Sequence, residues 1–384
     1  MANILVTQSG MKHSIGMMRS LARQGHAVYG LINPGEKQPL SKYSRYCRQV
    51  YNVHQEDEEA FVKDIFRLLE KYTFDVLVPI GFPVTHFVAK HQIEISQYAK
   101  IVVPNIESEE IACDKFNIQK IAMNVGVPTP KTFLIKNTED IADAIKEVGL
   151  PIIIKGRRES GKGIVATANS KVEAFHQFYS LVEKYDLAQD DYPIVQEFIH
   201  GWGCGFFAIY EQGECKRIFM HRRIREYPPT GGVSCCACSF NDPHLELYGR
   251  KLLDALHWNG VAMAEFRYDE SKHDYSLIEV NAKFWGSLEL ALAAGADFPA
   301  DYVKIATGQE LDYTSEYKMT TYQWLLSGDF LHGLKRPSAI PFIIMTAFNP
   351  RVHKDFLGID DPFVLIIRCL KLLRDSILVI FRLR

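Results

Sequence analysis

Apolar residues in the first hundred positions come in two rhythms. Residues 4–7, 26–32, 75–79 and 101–103 are short, nearly continuous apolar runs, the pattern of strands buried on both faces. Between them, residues 14–24 and 58–72 carry apolar side chains at helical spacing. This alternation predicts a doubly wound parallel sheet. Farther on, helices are expected at 138–148 and 171–185, between short strands. The stretch Gly260 to Arg267 and the stretch Tyr275 to Lys283 read as two strands joined by the polar turn 269–274, a hairpin. The final stretch, 363–384, is apolar with Arg368, Lys371, Asp375 and Arg382 recurring at helical spacing.

The hairpin carries the first candidate chemistry. Glu279 and Asn281 are two positions apart and share one strand face. Glu265 comes alongside if the strands pair. Carboxylates and an amide on one face suit Mg²⁺, which takes hard oxygen ligands together with substrate phosphates and water. A solvated hairpin face carries the same residue types, so the rest of the chain decides. Residues 156–163, Gly156 to Gly163, nearly spell the phosphate-binding G-x-x-x-x-G-K-[ST] pattern, but Gly163 stands where the Mg²⁺-binding hydroxyl belongs. The β-branched run after it reads as a strand, whereas that loop must open a helix. A glycine-rich loop between strands is a flap whose backbone N–H groups can close over a triphosphate. The apolar strand before it ends in Lys155, beside the loop.

These pieces, in this order, resemble the ATP-grasp superfamily over roughly residues 1–310. The resemblance implies a phosphate-binding lysine at Lys115 and a second at Lys155. It implies a lid loop through Glu159, Ser160, Gly161, Lys162 and Gly163, and a hinge at Gln196, Glu197, Phe198 and Ile199 that holds adenine and ribose. Glu265, Glu279 and Asn281 fall where the family keeps the ligands of two Mg²⁺ ions, with Mn²⁺ as the alternative ion. The implied fold is α/β and α+β: an N-terminal doubly wound domain (1–112), a linker and lid (113–195), a catalytic subdomain (196–310) and a helical C-terminal extension (311–384). The implied reaction is ADP-forming ligation of a small-molecule carboxylate to an amine through an acyl phosphate. Arg225, Arg267 and Lys283 are the candidates for holding the acyl phosphate or the acceptor. Two positions depart from the pattern. Lys283 replaces a frequent arginine and loses its bidentate fork, and residues 201–205 lack the acid many relatives place after the hinge.

Composition narrows the remaining classes. The chain has 384 residues, 47% hydrophobic and 23% charged, enough for two or three packed units. A net charge of −2 gives no case for nucleic-acid binding by bulk charge. The eight cysteines hold no paired C-x-x-C framework, and the tight group Cys235, Cys236 and Cys238 reads as part of a strand, where adjacent residues point opposite ways, so reduced thiols in a cytoplasmic protein are expected rather than a zinc site. The start Met1 to Thr7 reads as a strand without a basic leader. The basic, apolar segment 363–384 fits either a helix packed on the body or on a second copy, making a homo-oligomer, or a helix lying peripherally on the inner membrane surface. Rival functions are a bicarbonate-using carboxylase or carbamoylating enzyme, an ATP-binding membrane-tethered regulatory scaffold without turnover, and a sugar-modifying enzyme acting on a lipid-linked glycan.

Overall fold

A computed structural model of the chain describes residues 1–161, 163–357 and 360–381. Lys162 of the lid loop and Arg382 of the tail lie outside the described residues. Three sheets organise the rest. The first is wholly parallel, with strands β1 (Asn3–Val6), β2 (Ala27–Ile32), β3 (Gln49–Asn52) and β4 (Val76–Val78) in the order β3-β2-β1-β4. The helix Lys12–Arg23 follows β1, and the helix Glu58–Lys71 leads towards β4. The expected doubly wound domain is present, with one difference. Residues 101–103 do not extend the sheet; Lys100 alone makes a bridge, to Val76.

The second sheet is antiparallel: β5 (Thr132–Phe133), β6 (Ile152–Lys155), β7 (Val165–Ala168) and β8 (Ile194–Glu197), in the order β5-β8-β6-β7. The helices Thr138–Val148 and Lys171–Tyr185 cover it, as the apolar spacing predicts. Asn137 caps the first helix in a capping box with Asp140, and Ser170 caps the second.

The third sheet holds β9 (Gly201–Glu211), β10 (Glu214–Tyr227), β11 (Val233–Ser239), β12 (Gly260–Asp269), β13 (Asp274–Asn281), β14 (Thr321–Gln323) and β15 (Val352–Lys354). Its order is β13-β12-β9-β10-β11-β14-β15. The predicted hairpin is β12–β13, and Asp269 fixes its turn by accepting from the Ser271 and Lys272 amides.

The first domain is locked onto this third sheet. One continuous core runs from Ile4, Val6 and Met17 through Phe207, Trp285 and Leu288 to Trp324. Tyr302 donates to the Leu77 carbonyl and accepts from the Val102 amide, tying two segments of the first domain to the helix Phe298–Ala306. Gly260, at φ +85°, opens β12 where a Cβ would lie 2.5 Å from the Val102 carbonyl oxygen, so only glycine permits the approach. The helices Phe330–Lys335 and Ile340–Phe348 lie between β14 and β15, and the helix Pro362–Ile380 follows β15. Among the described residues, no helix is long and apolar enough to cross a membrane.

His86 and Glu109 join the first domain to the segment leading into the second sheet, 2.8 Å apart, with Glu109 fully buried. The hydrogen bond to Glu109 raises the His86 pKa against the opposing effect of burial. A raised imidazole pKa adds stability that is fully present below the ordinary value of 6.5 and is lost as pH rises through the folded-state value. His86→Gln is therefore expected to cost roughly 1–3 kcal/mol at about pH 5.5, the worth of a charged hydrogen bond, and less at about pH 9. Urea midpoints of both proteins at the two pH values test this; an equal loss at both would show that the charge contributes nothing.

Candidate active site

Strand β12 alternates strictly. Ala262, Ala264 and Phe266 are fully buried on one face, which leaves Met263, Glu265 and Arg267 on the other. In the ladder, Glu265 lies directly opposite Glu279, and Met263 opposite Asn281. The three predicted oxygen ligands thus share one sheet face. The Asn281 amide donates to Glu279 Oε1 at 3.1 Å. Like charges opposite one another destabilise a ladder unless cations compensate, and here the cations come from elsewhere in the chain.

Asp114 caps the helix Lys115–Asn124 through the amides of Phe116 and Asn117, and so fixes Lys115 at the first helical position. The Lys115 ammonium reaches Glu279 Oε2 at 3.5 Å. Burial opposes its charge, but Glu279 and Glu159 outweigh burial and raise its pKa. Lys155, at the end of β6, is 5% exposed and donates to the Ile278 carbonyl at 3.1 Å. Burial brings its pKa down to about 8, against the attraction of Glu279. Burial alone would raise the Glu279 carboxyl; Lys115 and Lys155 reverse this and hold it at about 2. Glu265 goes the other way, pushed up by burial and by Glu279, with Arg223 pulling it back.

Arg223 is the residue that sequence reasoning missed. Its guanidinium meets Glu265 at 2.6 Å and Glu226 at 3.2 Å. Gly203 of β9 makes room, since a Cβ there would lie 3.1 Å from Arg223 Cδ. The sequence pointed instead to Arg225, which pairs with Asp329 through two hydrogen bonds of 2.7 Å. The β10–β11 register is regular through Arg223 and breaks between Arg223 and Arg225, which turns Arg225 away from the face that Arg223 occupies. Arg267 donates to the Gly201 carbonyl at 2.6 Å. His221, buried beside Arg223, accepts from or donates to Ser287 through Nε2, and its Nδ1 has no partner. Burial, helped by Arg223, lowers its pKa to about 3, so it is neutral.

The loop between β6 and β7 hangs over this group. Gly161 and Gly163 take φ values of +68° and +61°, and a Gly161 Cβ would sit 3.5 Å from the Phe82 carbonyl of the first domain. Glu159 accepts from the Gly161 amide at 2.8 Å and lies 3.4 Å from the Lys283 ammonium, so Lys283 faces the loop. Ser160, beside them, is partly buried. The loop's base is anchored by Arg157 on Asp114 at 2.8 Å and by the Lys115 amide on the Arg157 carbonyl.

The hinge residues lie at the end of β8. Gln196 is 2% exposed and donates to Thr132 Oγ1. Glu197 accepts from the Lys131 amide at 3.0 Å and lies 3.4 Å from the Lys272 ammonium, while Ile199 is buried and Phe198 packs against His200. Among the described residues, no group of three or more His, Cys, Asp or Glu side chains could hold a metal ion. Two carboxylates and one amide with lysines beside them form an incomplete oxygen set, the kind that Mg²⁺ shares with nucleotide phosphates. The residues fit that use.

No protein-family profile matches the chain. A carbamoyl phosphate synthase large chain of Methanocorpusculum labreanum is 26% identical over 209 residues, 52% of this chain and 19% of that one. The chain spans between 19% and 52% of the first two curated relatives it matches. Among solved structures, the biotin carboxylase domain of Hydrogenobacter thermophilus 2-oxoglutarate carboxylase, in complex with MgADP and bicarbonate, superposes with a TM-score of 0.68 at 14% identity. It covers 83% of this chain and 73% of that one. An L-amino acid ligase from Bacillus licheniformis superposes with a TM-score of 0.62 at 17% identity, covering 80% and 74%. These proteins are ATP-grasp members, and the resemblance read from the residues holds in three dimensions: this chain has the ATP-grasp fold.

Proposed function

We propose that the chain is an ADP-forming ligase that joins a small-molecule carboxylate to an amine. The observation that carries this reading is the meeting of Glu265 and Glu279 with Lys115 and Lys155, each lysine delivered by a different element. ATP would lie between the lid sheet and the third sheet, its adenine end at Gln196 to Ile199. Its phosphates would take over Lys115 and Lys155. Mg²⁺ on Glu265, Glu279 and Asn281 would supply Lewis-acid polarisation and charge neutralisation; two ions fit the family pattern, with Mn²⁺ as a substitute.

In the first step a carboxylate oxygen of the substrate attacks the γ-phosphorus, and the bond from that phosphorus to the β,γ-bridging oxygen breaks, releasing ADP. In the second, the amine attacks the acyl carbon, the carbon–oxygen bond to phosphate breaks, and the nitrogen loses a proton. Arg267 and Lys283 border the carboxylates and the loop and are assigned to the acyl phosphate. Arg223 positions Glu265 for the metal. Arg225, committed to Asp329, has no part in this reading. Closure of the loop through Glu159, Ser160, Gly161 and Gly163 keeps water from the acyl phosphate.

Mg²⁺-dependent ADP release, screened with pools of amino acids and small carboxylates and with bicarbonate, tests the reading. ADP release that requires both a carboxylate and an amine is expected. Release with bicarbonate alone would move the assignment to a carboxylase-type reaction. Glu279→Gln and Lys155→Met are each expected to lower kcat by about 100-fold or more, the size of losing one charge-stabilising group; full turnover in either would remove the metal and phosphate assignments.

Arg223→Met leaves Glu265 buried without its cation. It is expected to cost roughly 3–5 kcal/mol in thermal or urea unfolding, as broken buried ion pairs do. Because Mg²⁺ replaces the missing positive charge, MgADP should stabilise this variant more than the parent. An equal MgADP shift in both proteins would dissociate Glu265 from the metal.

A further inference from the structure

The helix Pro362–Ile380 is bound to the body by one side only. Val364, Ile367 and Arg368 are buried, and Arg368 reaches Glu289 at 3.3 Å and the Lys12 carbonyl at 3.2 Å. The helix start is pinned by Asp361, which accepts from Ser44 Oγ and the Arg45 amide. On the far side, Phe363, Ile366, Leu370, Leu373, Ile377 and Ile380 are between 49% and 65% exposed.

Their spacing is informative. Steps of three, four, three, four and three residues are an unbroken heptad repeat, with Phe363, Leu370 and Ile377 at one seam position and Ile366, Leu373 and Ile380 at the other. Within the helix the exposed large apolar side chains keep to these two positions, with Phe381 just past its end; that is the narrow seam of a coiled coil, whereas a surface helix on a globular core shows a broader face. We propose that this stripe pairs with the same stripe of a second copy of the chain, making a homodimer through a two-helix coiled coil.

Area and charge favour this occupant. Burying roughly 100 Å² from each of six aliphatic or aromatic side chains removes about 600 Å² per copy, about 1,200 Å² in all, the lower bound of stable specific interfaces. The same patch left bare would be at the upper end of what soluble monomers expose. Of the flanking positions beside the seam, Ile367, Cys369, Arg374, Ser376 and Phe381, only Arg374 is charged, so a parallel pair opposes no like charges. A lipid surface fits less well. Binding of that kind needs cations on the polar face, but among the described residues of the helix Arg368 is turned inward to Glu289, Arg374 pairs with Asp375 at 3.0 Å, and Lys371 is half-buried. The pairing is independent of the ligase reading, because none of these side chains belongs to the candidate active site.

Sedimentation equilibrium of the full chain over a micromolar concentration range is the test. The parent protein is expected to be dimeric, and Leu370→Glu combined with Leu373→Glu to raise the dissociation constant at least 100-fold, with circular dichroism confirming a retained fold. As a second variant, Phe342→Glu with Phe348→Glu on the neighbouring helix Ile340–Phe348 changes an equally exposed apolar face outside the seam and should leave the dimer intact. A monomeric parent, a dimer unaffected by the seam change, or a dimer lost equally in both variants overturns the proposal. So does a monomeric parent that co-sediments with phosphatidylglycerol–phosphatidylcholine vesicles through Leu370 and Leu373, which would assign the stripe to a membrane.

Discussion

Two carboxylates side by side on a hairpin, Glu265 opposite Glu279, set the condition the site has to meet. Neither could stay ionised in this partly buried place without cations, and the hairpin carries none that reaches both. The chain answers from outside it. Lys115 comes from a capped helix start, Lys155 from the second sheet and Arg223 from a strand two positions across the third sheet. The electrostatic balance of the pair therefore depends on the second and third sheets being correctly placed relative to each other. The two carboxyls are also driven apart: Glu279, between two lysines, is held at about 2, while burial pushes Glu265 up against the pull of Arg223. Of the two, Glu279 is the firmer anion and Glu265 the one whose charge depends most on its partner.

The same placement has a steric side. Arg223 can reach Glu265 only by crossing β9, and β9 offers glycine at 201, 203 and 205, alternate positions on the site face. Glycine in a strand interior costs stability relative to a side chain that packs. Here the cost leaves room beside Gly203 for the Arg223 side chain, whose guanidinium pairs with both Glu265 and Glu226. The residues 201–205, read from sequence only as lacking an acid, form the floor that lets a cation in.

This explains what could be read in the sequence and what could not. Period-two alternation exposes Glu265, Glu279 and Asn281 on one face, because side-chain direction in a strand depends only on neighbours in sequence. Helix caps and apolar spacing fix 138–148 and 171–185 for the same reason. Lys155 is legible from its place at the end of an apolar strand. Arg223 is not, because a regular strand puts Arg223 and Arg225 on one face, and the register break that turns Arg225 away is invisible in residue identity. Arg225 is answered by Asp329, about a hundred positions away and in a segment with no pattern of its own. Residues 101–103 have the composition of a strand, yet Val102 and Val103 are used against Tyr302, Asn259 and Gly260 instead of in the parallel sheet. Local propensity is overridden wherever two domains must meet.

The C-terminal segment belongs to that meeting. Arg368 pairs with Glu289, which also accepts from the buried indole of Trp324, while Lys12 lies over the same indole ring at 5.3 Å. Lys12 opens the first helix of the N-terminal domain, Glu289 lies on the helix Leu288–Ala294 that follows β13, and Arg368 is in the helix Pro362–Ile380. One buried charge cluster thus joins the first domain, the segment after β13 and the helix Pro362–Ile380. Removing one partner from such a cluster leaves an uncompensated buried charge, so the terminal helix is a structural member of the body rather than an appendage. Its inner side is committed to Glu289 and Lys12, which restricts any outside partner to the opposite, apolar stripe.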